Sequence, residues 1–302
     1  MSSPENPPLN PPPPLGTGSQ TPVASDLAAP DLFLPAPLIP ASIPPAENPV
    51  FNGWDVLQLA GVTLLTLIVL QFAIVLAARK YYFPRLSLLE AAQKPILALV
   101  SELLAYAVIA LFMVMFVEGK YHVRFWQAIR WNWPRREWRV WKLLGIGMTM
   151  LFALNILERF LPMPKTVPFD QFFERPVDAY LTSIFAISFG PLMEELFFRG
   201  FLYPVLARRM GVIWGVLLTA LPFGLMHAFQ YGNAWSAVLV IFIVGIVLTV
   251  VRAVTKSVGA SFLVHLGYNG TLMVLVAIAT CGFRHMENAS VLVVSVRALL
   301  KI

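Results

Sequence analysis

From residue 51 to residue 280 the chain alternates long apolar runs with short polar stretches. Spanning a bilayer as a helix takes roughly 20 apolar residues. Runs near 56–78, 96–117, 143–161, 179–206, 212–230, 233–253 and 257–280 meet or approach that length and predict seven membrane helices. An eighth segment, 291–300, is short and carries Arg297. The expected fold class is all-α, a polytopic transmembrane bundle. Gly190 and Pro191 interrupt the fourth run, and the proline removes one backbone hydrogen bond, so a kink is expected there.

Residues 1–50 break the pattern. They hold 15 of the 25 prolines, no Lys or Arg, and four consecutive prolines at 11–14. Such density forbids a helix or a central strand and predicts a disordered, partly polyproline-II tail. Without a basic n-region the tail does not read as a secretory signal. The expected division is a tail over 1–50, N-terminal membrane helices over 51–178, a core over 179–280 and a C-terminal tail over 281–302. Residues 120–142 hold seven basic residues and five of the eight tryptophans, which suits the headgroup zone of a membrane.

Composition agrees. Of 302 residues, 58% are hydrophobic and 13% charged, against about 25% charged in soluble domains, and mean hydropathy is +0.72. The chain is therefore expected to be an integral, multi-pass protein of the cell membrane. Its net charge of +6 comes from loops between apolar runs and points to lipid headgroups rather than nucleic acid. The single cysteine, Cys281, excludes an intrachain disulfide. No P-loop, dinucleotide glycine fingerprint, CxxC pair or HExxH pair is present. Lys and Arg divide almost evenly between alternate loops, so orientation is weakly determined; placing the densest basic loop inside gives a cytoplasmic N-terminus.

Against this background the ionisable residues of the later runs stand out, because such groups at membrane depth are costly unless they serve a site. Glu194, Glu195 and Arg199 fall in the fourth run, Phe223 and His227 in the fifth, His265 and Asn269 in the seventh. Residues four apart share a helix face, so Glu195 can pair with Arg199. Glu194, about 100° around the helix, points elsewhere and stays free to react. A carboxylate and an imidazole around one water can make it a nucleophile. An amide and a second imidazole can donate to the oxyanion formed when a carbonyl is attacked. Taken singly, an embedded Glu–Arg pair or histidine is as often a brace or packing group. Three such pairs on three runs argue for one site. Ser261, four before His265, is a weak candidate nucleophile, and Glu102 reads as a helix–helix hydrogen-bonding group with a smaller claim to the site.

These residues resemble a known family. E-E-x-x-x-R at Glu194, Glu195 and Arg199, F-x-x-x-H at Phe223 and His227, and H-x-x-x-N at His265 and Asn269 match, in order, the three motifs of the CPBP intramembrane proteases. That family includes CAAX prenyl endopeptidases and bacteriocin-processing or immunity relatives. The resemblance implies that Glu194 and His227 activate water, His265 and Asn269 bind the oxyanion, Glu195 and Arg199 support the site, and Phe223 packs. It implies a protein or peptide substrate, prenylated or otherwise membrane-anchored, in contact with the lipid bilayer, and no nucleic-acid partner. No cofactor is expected, although Glu194, His227 and His265 could in principle ligate Zn2+. The alternatives are a catalytically silent relative that binds a peptide or partner protein, and a transporter with a proton relay. Transport is disfavoured because no internal repeat pairs the two halves of the chain.

Overall fold

The computed structural model of the chain describes residues 49–133, 138–164 and 166–286. Most of the expected tail and the whole of segment 291–300 lie outside the described residues. Within them the fold is all-helical: α1 (Gly53–Tyr81), α2 (Leu88–Ala92), α3 (Pro95–Tyr121), α4 (Phe125–Ala128), α5 (Val140–Glu158), α6 (Pro176–Ile187), α7 (Phe189–Glu194), a π-helical segment (Glu195–Leu202), α8 (Tyr203–Met226), α9 (Trp235–Thr255) and α10 (Val258–Ala279). Short 3-10 turns occupy Pro168–Phe173 and Phe229–Tyr231.

Among the described residues, six helical stretches are long and apolar enough to cross a membrane, where seven spans were expected. The difference lies in Pro176–Met226, 51 residues of nearly continuous helix that reverses at Gly211. That residue takes φ 83 and ψ 170, a region closed to most side chains. A Cβ on Gly215 would lie 2.8 Å from the Ala207 Cα, whereas eight residues of straight helix separate atoms by about 12 Å. The two arms therefore run back to back, as the fourth and fifth expected spans. The expected break near Pro191 falls slightly earlier, at Ser188, whose φ −116 and ψ −74 separate α6 from α7.

Lipid is the solvent for this bundle. Leu64, Leu65, Ile68, Val69 and Phe72 of α1 are exposed, an arrangement that water would penalise and a hydrocarbon phase favours. Inside, contact between helices depends on small residues and a few polar clasps. Asn52 caps α1 through the Trp54 and Asp55 amides, and Asp55 returns a bond to the Asn52 amide. The same carboxylate pairs with Lys120 Nζ at 2.5 Å and accepts from the Tyr121 hydroxyl. It thus ties the start of α1 to the end of α3 as antiparallel neighbours.

On the other side α5 and α10 meet backbone to backbone. A Cβ on Gly267 would sit 2.5 Å from the Leu144 carbonyl oxygen, and one on Gly147 would collide with the carbonyl of Val264. Backbone cannot step aside as a flexible side chain can, so these glycines set the helix separation. Gly147→Leu should therefore part α5 from α10, which carries His265 and Asn269. The expected cost is about 1–3 kcal/mol or more, read as a lower melting temperature of the detergent-solubilised protein, while Gly145→Leu, where no atom lies within 4 Å of the added Cβ, should leave it unchanged.

Candidate active site

Glu195 is the centre of the buried polar network. Its Oε1 lies 3.1 Å from Arg199 Nη1 and 3.0 Å from His265 Nδ1, and the Glu195 and Arg199 side chains are both fully buried. The arginine contact is close in distance but poorly aligned, and Arg199 Nε and Glu195 Oε2 find no hydrogen-bond partner. Other bonds secure the cation. Arg199 Nη2 donates to the Gly245 carbonyl at 3.1 Å. The Arg199 carbonyl accepts from Arg252 Nε at 3.2 Å. The guanidinium carbon sits 4.4 Å from the Phe223 ring centre, within cation–π range. Phe223, expected to pack, does so as the floor under Arg199, edge-on to Phe198 with centroids 5.3 Å apart.

Glu194 turns the other way. It ends α7, where the chain passes from α-helical to π-helical hydrogen bonding. Its Oε1 lies 3.7 Å from His227 Nε2 and its Oε2 3.7 Å from His265 Nε2. These gaps exceed a direct hydrogen bond, so neither ring ties up the Glu194 carboxylate. The far nitrogens of both rings are occupied. His227 Nδ1 faces the Phe223 carbonyl at 2.7 Å, and His265 Nδ1 faces Glu195. Both partners only accept, so each Nδ1 carries hydrogen, and in the neutral ring each Nε2 presents a lone pair toward Glu194.

A cavity of about 280 Å³ contains Glu194, His227, His265 and Asn269 in its lining. Asn269 Nδ2 donates to the Ala186 carbonyl at 2.7 Å, which fixes the amide and leaves its second hydrogen uncommitted. The six expected site residues thus divide into a cavity-facing group of Glu194, His227, His265 and Asn269 and a buried pair, Glu195 and Arg199, behind His265. Ser261 donates its hydroxyl to the Leu248 carbonyl at 2.9 Å, is fully buried and does not line the cavity. Among the described residues no group of three His, Cys, Asp or Glu side chains is arranged to hold a metal ion.

Other lining residues carry weaker sequence signals. Glu102 and Tyr106 enter from α3, Phe169 and Phe172 from the 3-10 turn, and Tyr231 from the turn after α8. Burial first, then the Glu158 and Asp170 carboxylates, push the Tyr231 phenol up to about 12, so it keeps its proton at the rim. A larger depression of about 610 Å³ along α5 and α9 is lined by Trp141, Lys142, Met148 and apolar neighbours. It holds none of the motif residues and faces lipid.

Residues 176–271 match a protein-family model. Its description is type II CAAX prenyl endopeptidase, Rce1-like. The match spans α6 to α10 and takes in all three motifs. No curated protein and no solved structure matches the chain.

Removing one partner of a buried ion pair leaves an uncompensated charge, at about 3–5 kcal/mol, whereas removing both is often near neutral. Arg199→Met should therefore lower the melting temperature sharply, and Arg199→Met with Glu195→Gln should recover much of the loss.

Proposed function

We propose that this protein is an intramembrane endopeptidase that hydrolyses a peptide bond with a water activated by Glu194 and His227. The observation that carries the proposal is the setting of Glu194, in salt-bridge contact with no Lys or Arg among the described residues and flanked at 3.7 Å by the Nε2 atoms of His227 and His265. The match of residues 176–271 to prenyl endopeptidases supports the same reaction class.

A water between Glu194 Oε1 and His227 Nε2 meets two acceptors and directs its lone pair at a carbonyl carbon. Glu194 takes a proton as the oxygen attacks. The developing oxyanion receives the uncommitted hydrogen of Asn269 and the Nε2–H of His265. For His265 to donate there, both of its nitrogens must be protonated. The Glu195 carboxylate on Nδ1 balances that charge, as the triad aspartate does for its imidazolium. Glu195 and Arg199 therefore act by holding His265.

The substrate is a protein or peptide presented within the bilayer and carrying a lipid anchor. An apolar groove of about 240 Å³ between α1 and α3, lined by Leu64, Leu67, Ile109 and Met113, reaches both Tyr106 and Glu194, and supports an aliphatic chain lying beside the scissile bond. A zinc-dependent variant on Glu194, His227 and His265 is the second reading. It draws on the two backed imidazoles, a usual setting of metal-ligating histidine, and is weakened by the donor arrangement described above.

The test is cleavage by the purified full chain in lipid nanodiscs. The probe is a peptide ending in a farnesylated Cys-aliphatic-aliphatic-X sequence, run beside its unlipidated twin. Cleavage of the lipidated peptide that survives chelation is expected; a bound peptide left intact would indicate a silent relative. Asn269→Ala should lower turnover about 100- to 1,000-fold with little change in KM, because the lost bond forms mainly in the transition state. Asn269→Asp should be no better, since an acceptor facing an oxyanion repels it. Zinc bound one-to-one, lost in His227→Ala and required for turnover, would favour the metalloprotease.

A further inference from the structure

Attack by water is half of amide hydrolysis; the nitrogen must also leave. A peptide nitrogen does not depart as an anion and needs a proton as the C–N bond breaks. The groups assigned above surround the attacking water and the oxyanion from α7, α8 and α10. The α3 wall of the same cavity carries none of them, yet it carries a carboxyl, Glu102, and a phenol, Tyr106.

The bonding of this pair is not that of a brace. Tyr106 donates its hydroxyl to Glu102 Oε1 at 2.8 Å, one turn away on the same helix. The bond joins α3 to itself and holds no second helix in place. No cation pairs with Glu102 among the described residues, in contrast to Glu195 with Arg199 and Asp55 with Lys120. Tyr106 is itself fixed by stacking on Phe185 of α6, centroids 5.5 Å apart and planes 22° apart. With Oε1 taken by the phenol, Oε2 is the oxygen left to carry a proton. An unpaired carboxyl at membrane depth, held only by its own helix and facing a reaction cavity, is a functional group by default.

We propose that Glu102 is a second catalytic carboxyl, the acid that protonates the leaving nitrogen, with Tyr106 as its positioning residue. The assignment rests on the endopeptidase reading. Glu194 removes one proton from water as the oxygen–carbon bond forms. The tetrahedral adduct then reforms its carbonyl, the C–N bond breaks, and the nitrogen takes the Glu102 proton. The products are a carboxylic acid and an amine, with Glu194 protonated and Glu102 ionised. Transfer of one proton between the two carboxyls through the shared cavity restores the starting state. A separate acid suits this site because a proton on Glu194 faces the His227 Nε2 lone pair at 3.7 Å, which competes with the leaving nitrogen for it.

The test compares two probes on the full chain in nanodiscs: the farnesylated peptide above, and the same peptide with an ester at the scissile bond. An alkoxide leaves far more readily than an amide anion, so the ester has little need of an acid. Glu102→Gln should slow amide cleavage by about 100-fold or more and the ester far less, raising the ester-to-amide ratio of kcat by about two orders of magnitude. Tyr106→Phe, which keeps the shape and frees the carboxyl, should shift the ratio in the same direction by a smaller factor; it also serves if Glu102→Gln does not fold. Equal slowing of both probes, or an unchanged amide rate, overturns the assignment and leaves the endopeptidase standing. Wild-type protein that cuts neither probe overturns both.

Discussion

One carboxylate oxygen, Glu195 Oε1, contacts an arginine and a histidine where neither water nor lipid reaches. Burying charge is expensive, and a pair becomes tolerable only with further bonds around it. Those bonds define the core. Arg199 reaches the Gly245 backbone on α9, Arg252 of α9 reaches back to the Arg199 carbonyl, and His265 brings in α10. Three helical elements are thereby locked in one relation, with Phe223 of α8 beneath the guanidinium. Because Glu195 is consumed in this way, the adjacent Glu194 is the one of the two neighbouring glutamates left facing the cavity.

Backbone geometry makes the division possible. The change from α-helical to π-helical bonding at Glu194–Glu195 is a local irregularity of the kind common at functional sites. Gly211 then reverses the chain so that His227, at the end of α8, comes back to Glu194. The close backbone contact at Gly147 and Gly267 sets α10 against α5. His265 and Asn269 enter the cavity from that helix. Packing in lipid, with no hydrophobic drive between helices, relies on such close approach and on buried polar bonds.

Spans were legible in the sequence because bilayer thickness imposes a length of apolar residues that few other constraints produce. The Glu195–Arg199 pairing was legible because i, i+4 spacing places both on one face, and it survives in the π segment. The π segment itself was not, since a widened turn follows from competing backbone bonds and has no residue signature in this chain. The 3-10 turn at 168–173, whose Phe169 and Phe172 line the cavity, looked like an ordinary loop. Glu102 read as a bond between helices; its partner proved to be on its own helix, which only side-chain coordinates reveal. Asn269 likewise spends one hydrogen on Ala186, eighty-three positions away, a contact no spacing rule anticipates.

The account stands on unequal roles for two neighbouring glutamates of identical chemistry. The most direct measurement is turnover and melting temperature taken together on Glu194→Gln and Glu195→Gln. Glu194→Gln should melt as the wild type does and lose cleavage. Glu195→Gln should melt several degrees lower, since about 3–5 kcal/mol attends an orphaned buried cation, and keep a reduced turnover per folded molecule, since His265 loses the carboxylate that balances its charge. Full cleavage by Glu194→Gln, or equal melting of Glu195→Gln and wild type, would contradict it.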